Sequence, residues 1–71
     1  MTLEEAQKIA FIIGHADGGC ASCVEDLVNL SNEILPEFIF STGHSIPPQY
    51  DENYDIISRE RIDVIVGWKK P

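Results

Sequence analysis

The sequence predicts an α+β fold in which a helical hairpin packs on a small antiparallel sheet of two or three strands. Three observations support this prediction. Two amphipathic segments joined by a glycine-rich turn occupy the first half of the chain, and short runs of β-branched and aromatic residues occupy the second. Pro36 separates the halves, because proline ends a helix. The 71 residues are predicted to form one small domain, since a chain of this length holds a single core.

Composition narrows the compartment and the class of protein. Hydrophobic residues make up 44% of the chain, and no apolar run approaches the roughly 18 residues that a membrane span requires. The acidic N-terminal residues lack the basic start and apolar centre of a secretory signal, so we expect a soluble, cytoplasmic protein. In that reducing compartment, Cys20 and Cys23 are expected to be thiols, metal ligands or redox partners, and not a structural disulfide.

The charge distribution argues against nucleic acid as a direct partner. Twelve acidic and five basic side chains give a formal net charge of −7, which is unfavourable for binding a phosphate backbone. Lys8 is the only lysine or arginine before Arg59. The protein is therefore an acidic body with a weakly basic tail, which contains Arg59, Arg61, Lys69 and Lys70.

The first helix is predicted to begin at Leu3. Thr2 followed by Glu5 is a capping-box pattern, and Gly14 is well placed to end the helix. At 100° per residue, one stripe of the helix holds the apolar residues Leu3, Ala6, Ile9, Ala10 and Ile13.

Phe11 and Ile12 lie outside that stripe and project onto the otherwise polar side of the helix. They are therefore expected to be exposed unless another element or a second chain covers them. Residues 9–13 also fit a buried strand, because a short apolar run of branched residues has no distinguishing period. We favour the helix.

The second helix is the clearest element of the sequence. Ser22 and Glu25 repeat the capping-box pattern, and Pro36 marks the end. One arc of the helix is apolar and contains Val24, Leu27, Val28, Leu30, Ile34 and Leu35, whereas the other is polar and contains Glu25, Asp26, Asn29, Asn32 and Glu33.

The second half of the chain is predicted to contain the strands. In chain order it holds a strand over residues 37–42, a loop over 43–53, a short strand over 54–58, a connection at 59–61 and a strand over 62–68. Phe38 and Phe40 fall on one face of the first strand. The last strand alternates Ile62, Val64, Val66 and Trp68 with Asp63, Ile65 and Gly67. The connection lacks the usual hairpin residues.

Most of the residues that could bind a metal or react chemically lie in the turn between the helices. Residues 14–26 contain both cysteines, one of the two histidines and three of the five glycines. One interpretation is a tetrahedral zinc site formed by His15, Cys20, Cys23 and, from the distant loop, His44. Only the Cys-x-x-Cys half of this set has characteristic metal-ligand spacing.

A second interpretation is thiol redox chemistry. The pattern Cys-Ala-Ser-Cys at a helix start places Cys23 near free backbone amides, which lower the pKa of a thiol. If residues 9–13 are a strand, this part of the chain resembles the opening of a thioredoxin-like domain. In that family an aromatic residue usually precedes the nucleophilic cysteine at the helix start. Here Gly19 precedes Cys20, and a Ser22 cap places Cys20 before the helix.

A third interpretation needs no chemistry. Cys23 and Ala21 are small residues that suit a tight corner between helices, and Ser22 caps the second helix. The pattern Ala-Asp-Gly-Gly-Cys-x-x-Cys-Val-x-Asp-Leu, with Pro-Glu-Phe one helix later, resembles small uncharacterised bacterial and phage proteins. The resemblance covers residues 16–38, implies a helical hairpin and supplies no activity.

The sequence favours binding over catalysis, since no nucleophile, base and orienting residue have triad-like spacing. We therefore expect a small non-enzymatic protein-binding module without a cofactor, such as a phage or mobile-element accessory or inhibitor protein. Its partner is another protein or a second copy, and its carboxylates could imitate a nucleic-acid backbone. The expected surface contains Phe11, Ile12, Glu25, Asp26, Glu33 and Glu37. The alternative is a thiol-redox or zinc protein centred on Cys20 and Cys23.

Overall fold

The computed structural model describes residues 1–69 and confirms the predicted α+β fold. The helices are α1 (Leu3–Gly14) and α2 (Ala21–Ile34), with a short 3-10 turn (Ala16–Gly18) between them. The strands are β1 (Phe38–Ile46), β2 (Gln49–Tyr50), β3 (Ile56–Ser58) and β4 (Arg61–Trp68). Strand β1 pairs with β4 and β2 pairs with β3, both antiparallel. Lys70 of the predicted basic tail lies outside the described residues.

The four strands form one long ribbon. Ile46 is opposite Arg61 where the β1–β4 pair ends, and Gln49 is opposite Ser58 where the β2–β3 pair begins. Residues 59–60 therefore interrupt one arm of the ribbon and do not connect two paired strands. The predicted connection at 59–61 and the predicted loop over 43–53 are both wrong, because β1 continues to Ile46 and the chain reverses further on.

The reversal occurs at residues 51–55, where side chains supply the turn chemistry. The Asp51 carboxylate accepts hydrogen bonds from the backbone N–H groups of Asn53 at 2.8 Å and Asp55 at 3.0 Å. Tyr54 adopts the left-handed conformation with φ 62°. Aspartate favours such turns because its short carboxylate reaches the amides that follow it.

Helix α1 forms as predicted, which excludes the strand interpretation of residues 9–13. The capping box is present, since the Glu5 N–H donates to Thr2 Oγ1 at 3.2 Å and the Thr2 N–H donates to Glu5 Oε1 at 2.9 Å. The predicted stripe faces the core: Ala6, Ala10 and Ile13 are buried, and Leu3 and Ile9 are partly buried.

Helix α2 begins earlier than predicted. Its N-cap is Cys20, so Ser22 lies in the first turn and the predicted Ser22–Glu25 capping box does not form. Of the predicted apolar arc, Val24 and Val28 are buried and Leu35 is partly buried. The arc is only half covered, because α2 packs mainly on β1 while α1 covers β4. The exposed members are Leu27, Leu30 and Ile34.

Both helices cover the same face of the β1–β4 ribbon, with α1 over β4 and α2 over β1. Phe38 and Phe40 from β1 and Ile62 and Val64 from β4 complete the core. Phe38 is 1% exposed and stacks on Trp68 with a ring separation of 4.5 Å. The molecule is elongated, with extents of 49 × 23 × 15 Å, because the β2–β3 part of the ribbon carries none of the core residues.

Asn32 on α2 covers part of the free edge of β1. Its side-chain amide donates to the Phe40 carbonyl at 3.0 Å, and its side-chain oxygen accepts from the Phe40 N–H at 2.7 Å. The amide thereby replaces a neighbouring strand at this position, which satisfies two edge groups that would otherwise need water or a third strand.

Candidate functional site: the interhelical turn and the exposed apolar faces

The turn between the helices is built from three consecutive left-handed residues: Asp17 (φ 49°), Gly18 (φ 68°) and Gly19 (φ 84°). Glycine adopts this conformation without a Cβ clash, and aspartate is among the few other residues that tolerate it. A Cβ on Gly19 would lie 3.3 Å from the Arg61 backbone, so the turn sits directly against the start of β4. This path brings Cys20 to the N-terminus of α2.

The turn assembles one carboxylate and two thiols. The Cys23 thiol donates to Asp17 Oδ2 over 3.4 Å, and Cys20 Sγ lies 3.4 Å from the Ser22 hydroxyl oxygen. The ligand atoms of Asp17, Cys20 and Cys23 are all within 4.8 Å of one another. Both cysteines are free and half-buried, whereas Asp17 is exposed. This group is accessible from solvent.

The environment makes the two thiols unequal. Hydrogen bonds from the Ser22 hydroxyl and from Cys23, together with backbone amides, lower the pKa of Cys20 to about 7. The hydrogen bond to Cys20 and then the one to Asp17 raise the pKa of Cys23 to about 11. The expectation that Cys23 has the lowered pKa is wrong, because Cys20 and not Ser22 is the N-cap.

The structure separates the predicted histidine ligands from the thiols. The His15 Nδ1 donates to the Phe11 carbonyl at 2.8 Å, within α1 and its cap. His44 lies on β1, exposed, where the register shifts between Thr42 and Ser45. Within residues 1–69, the one group of potential metal ligands contains Asp17, Cys20 and Cys23 and neither histidine.

Asp17 is the residue that sequence reasoning missed in this group. Its separation of six from Cys23 matches no familiar metal-ligand spacing. The available signal was an aspartate followed by two glycines, since that combination tolerates a left-handed turn folding back on itself. Two sulfurs and one carboxylate oxygen are a donor set that zinc accepts, with a fourth position left for water or another ligand.

The residues predicted as a binding surface are all exposed. Phe11 and Ile12 are 57% and 69% exposed, and the carboxylates of Glu25, Asp26, Glu33 and Glu37 face solvent. Phe11 is partly occupied by intramolecular contacts. Its ring is 4.7 Å from that of His15, and the Arg61 guanidinium lies 5.2 Å from its centroid. Ile12 has no such aromatic or cationic neighbour among the described contacts and is the more available of the two.

A second exposed apolar surface, which was not predicted from the sequence, lies on the ribbon face opposite the helices. Ile39 and Ile65 are 50% and 54% exposed there, on diagonal positions of the β1–β4 register. A Cβ on Gly67, opposite Ile39, would meet no atom within 4 Å. The sequence contained evidence for this surface. Residues 38–40 and 64–66 are all apolar, and because side chains alternate along a strand, apolar residues must lie on both faces of each strand.

The far end of the ribbon is another exposed apolar region. Tyr50, Tyr54, Ile56 and Ile57 are all exposed around the reversal at residues 51–55. The described part of the surface has no pocket. Within residues 1–69, no helix has the length and apolar character needed to cross a membrane.

Comparisons with known proteins yielded no matching family model, no matching curated protein and no matching solved structure.

Proposed function

We propose that this protein is a small protein-binding module whose principal contact is the outer face of the β1–β4 ribbon. The observation that carries the proposal is how many hydrophobic residues are exposed compared with how many are buried. Among the described residues, nine hydrophobic residues are buried, whereas thirteen large hydrophobic residues are exposed. Scattered exposed apolar residues are ordinary, but contiguous ones on an uncovered sheet face mark interaction surfaces.

The outer ribbon face supports this role better than the helical surface does. Its apolar residues Ile39 and Ile65 are diagonal neighbours, and Gly67, opposite Ile39, leaves open space above its backbone. Among the described residues of β1 and β4, alternation places two charged side chains on that face, Arg61 and Asp63, which form an ion pair at 3.6 Å. Covering such a face removes apolar area from water, which favours association by roughly 25 cal/mol per Å².

The helical side differs in character. Its solvent face carries Glu25, Asp26 and Glu33, so a partner there needs basic groups and the contact weakens with salt. Its exposed apolar residues are Phe11 and Ile12 on α1 and Leu27, Leu30 and Ile34 on α2. We propose this acidic surface as the second candidate contact, in which electrostatics set the rate of association more than the affinity.

The test compares the two surfaces in the full chain. Ile39→Thr with Ile65→Thr removes the apolar outer face and keeps β-branched side chains that suit a strand. The matched control, Glu25→Gln with Asp26→Asn, alters the acidic helical surface without changing side-chain size. Self-association is measured by sedimentation equilibrium. Binding to other proteins is measured by calorimetry with each purified partner that the immobilised chain retains.

We expect the sheet-face variant to weaken association at least tenfold, about 1.4 kcal/mol, while circular dichroism shows an intact fold. The acidic-surface variant is expected to change the salt dependence with a smaller change in affinity. If the larger loss follows the acidic-surface variant, the helical surface is the contact. If the chain stays monomeric and no partner distinguishes the variants, the binding proposal is wrong.

A further inference from the structure

The thiol pair of the interhelical turn is independent of the surfaces just described, and its geometry points to chemistry. Cys20 is the N-cap of a 14-residue helix, where the first backbone N–H groups have no intrahelical acceptor. The Ser22 hydroxyl oxygen lies 3.4 Å from its sulfur, within hydrogen-bond range for sulfur. That hydroxyl and the positive end of the helix dipole favour a thiolate at Cys20.

Cys23 lies three residues further on, so its side chain projects from the same side of the first turn as Cys20. Its sulfur is within 4.8 Å of Cys20 Sγ, and its proton is held toward Asp17 Oδ2 at 3.4 Å. The pair thus combines a thiol whose anion is stabilised with a neighbour that keeps its proton. Both sulfurs are half-buried and reachable from outside.

We propose that Cys20 and Cys23 form a thiol–disulfide exchange site, in which Cys20 attacks an accessible disulfide and Cys23 resolves the mixed disulfide. The substrate class is a disulfide RS–SR, either of low molecular weight or on the surface of another protein.

The exchange proceeds in two balanced steps. The Cys20 thiolate attacks one sulfur of RS–SR, so that a Cys20–SR bond forms, the S–S bond breaks and one RS⁻ leaves. Cys23 then loses its proton to solvent, and its thiolate attacks Cys20 Sγ, which forms the Cys20–Cys23 disulfide and releases the second RS⁻. Two electrons pass from the dithiol to the substrate, and the two RS⁻ groups are protonated according to the pH.

The order of the two steps follows from the contacts of Cys23. While Cys20 is anionic, the hydrogen bond between the thiols is the largest cause of the raised Cys23 pKa. Forming the Cys20–SR bond removes that anion, so the pKa of Cys23 falls and its thiolate becomes available for the second step. Asp17 still raises the Cys23 pKa at that stage. The carboxylate therefore prolongs the mixed disulfide and acts as a positioning residue.

Zinc is the competing use of the same three atoms. A zinc ion needs both sulfurs as thiolates, since metal binding displaces their protons. The Asp17 hydrogen bond favours the protonated form of Cys23, which opposes that requirement. The unequal pKa values of Cys20 and Cys23 suit thiol–disulfide exchange, in which one thiol attacks first and the other reacts in the second step.

The first test uses the full chain and glutathione disulfide as the probe, with products identified by mass spectrometry. We expect the wild-type chain to form the Cys20–Cys23 disulfide and release two glutathione equivalents. Cys23→Ser should stop at a glutathione adduct on Cys20, and Cys20→Ser should react far more slowly. In the unaltered chain, iodoacetamide at pH 7 should label Cys20 roughly 100-fold faster than Cys23, with a pH midpoint for Cys20 near its pKa of about 7.

The second test isolates Asp17. Asp17→Asn keeps a side chain that tolerates the left-handed backbone but removes the charge. We expect it to lower the pKa of Cys23 and to shorten the lifetime of the mixed disulfide severalfold. The matched control is Glu4→Gln, an exposed carboxylate on α1 that makes no hydrogen bond to either sulfur in the described structure. It should leave the lifetime unchanged.

Three results would overturn the proposal. One is equal labelling of the two thiols in the unaltered chain, and another is a glutathione adduct that never resolves in the wild type. The third is stoichiometric zinc, measured by elemental analysis, that protects both sulfurs from glutathione disulfide. Because none of these outcomes depends on a partner protein, failure here is distinguishable from failure of the binding proposal.

Discussion

The β1–β4 base of the ribbon and its β2–β3 tip are built alike and supported differently. Both are antiparallel pairs, and both contain β-branched and aromatic residues. At the base, Phe38 and Val64 are buried under the helices. At the tip, Tyr50 and Ile57 are exposed, and the hydrogen bonds of the Asp51 turn are the main local support.

The difference shows which interactions hold the ribbon. A two-stranded hairpin in water is marginal by itself, since cross-strand pairs contribute only about 0.2–1 kcal/mol each. The base gains the free energy of burying apolar side chains beneath two helices, whereas the tip does not. We therefore expect the base to unfold with the whole domain and the tip to open locally at lower cost.

The largest expected effect on stability comes from comparing the removal of an apolar side chain at the base of the ribbon with the same change at its tip. Phe38→Ala should lower the free energy of unfolding by about 3–5 kcal/mol, because it leaves a cavity in the core. Ile57→Ala at the tip should cost less than about 0.5 kcal/mol. Urea denaturation followed by circular dichroism measures both. Comparable losses would mean that the tip is packed against another chain, and a concentration-dependent midpoint would identify that case.

Two glycines, Gly14 on α1 against the covered face of the base and Gly67 on its uncovered face, allow the two faces to be compared. A Cβ on Gly14 would collide with the Ile62 carbonyl oxygen and lie 3.6 Å from Val64 Cγ2, so α1 would have to move away from β4. Gly14→Ala should therefore destabilise by about 1–3 kcal/mol, as overpacking does, despite the better helix propensity of alanine. The measurement is again the free energy of unfolding.

Gly67→Ala is the matched control on the uncovered face. Its Cβ would enter open space, so it should be neutral or stabilise by up to about 1 kcal/mol. Equal costs at the two glycines would contradict the asymmetry between the covered and uncovered faces. A loss of self-association in Gly67→Ala, with unchanged monomer stability, would place a second chain on the outer face.

Most of the base could be predicted from sequence because local signals and burial agree there. The Thr2–Glu5 capping box and the 3.6-residue period fixed α1, and the Phe38–Phe40 alternation identified the inner face of β1. The tip was misassigned because its strands are too short to show a period of two, since β2 contains two residues and β3 three. Asp51 and Asn53 carried the turn signal, but their hydrogen bonds show only once β2 and β3 are placed opposite one another.

The candidate site was predicted only in part, for a related reason. The Cys-x-x-Cys spacing indicated that both thiols share the start of α2, and they do. Asp17 joins them only because three left-handed residues fold the chain back. The Asp-Gly-Gly sequence permits that backbone path but does not specify it. His15 fitted the ligand pattern, but a backbone carbonyl in its own helix occupies its ring nitrogen.

The smallest expected effect is at the reversal itself. Asp51→Ala removes the acceptor for the Asn53 and Asp55 amides and leaves the backbone bond from the Asp51 N–H to the Asp55 carbonyl at 2.9 Å. A hydrogen bond contributes about 0.5–1.5 kcal/mol, so amide exchange at the tip should accelerate roughly tenfold. Amides of the β1–β4 base should keep their wild-type rates, because no core contact changes, and Glu52→Ala serves as the control for altered charge. Faster exchange at both ends would show that the ribbon opens as one unit, and the separate support of base and tip would then be wrong.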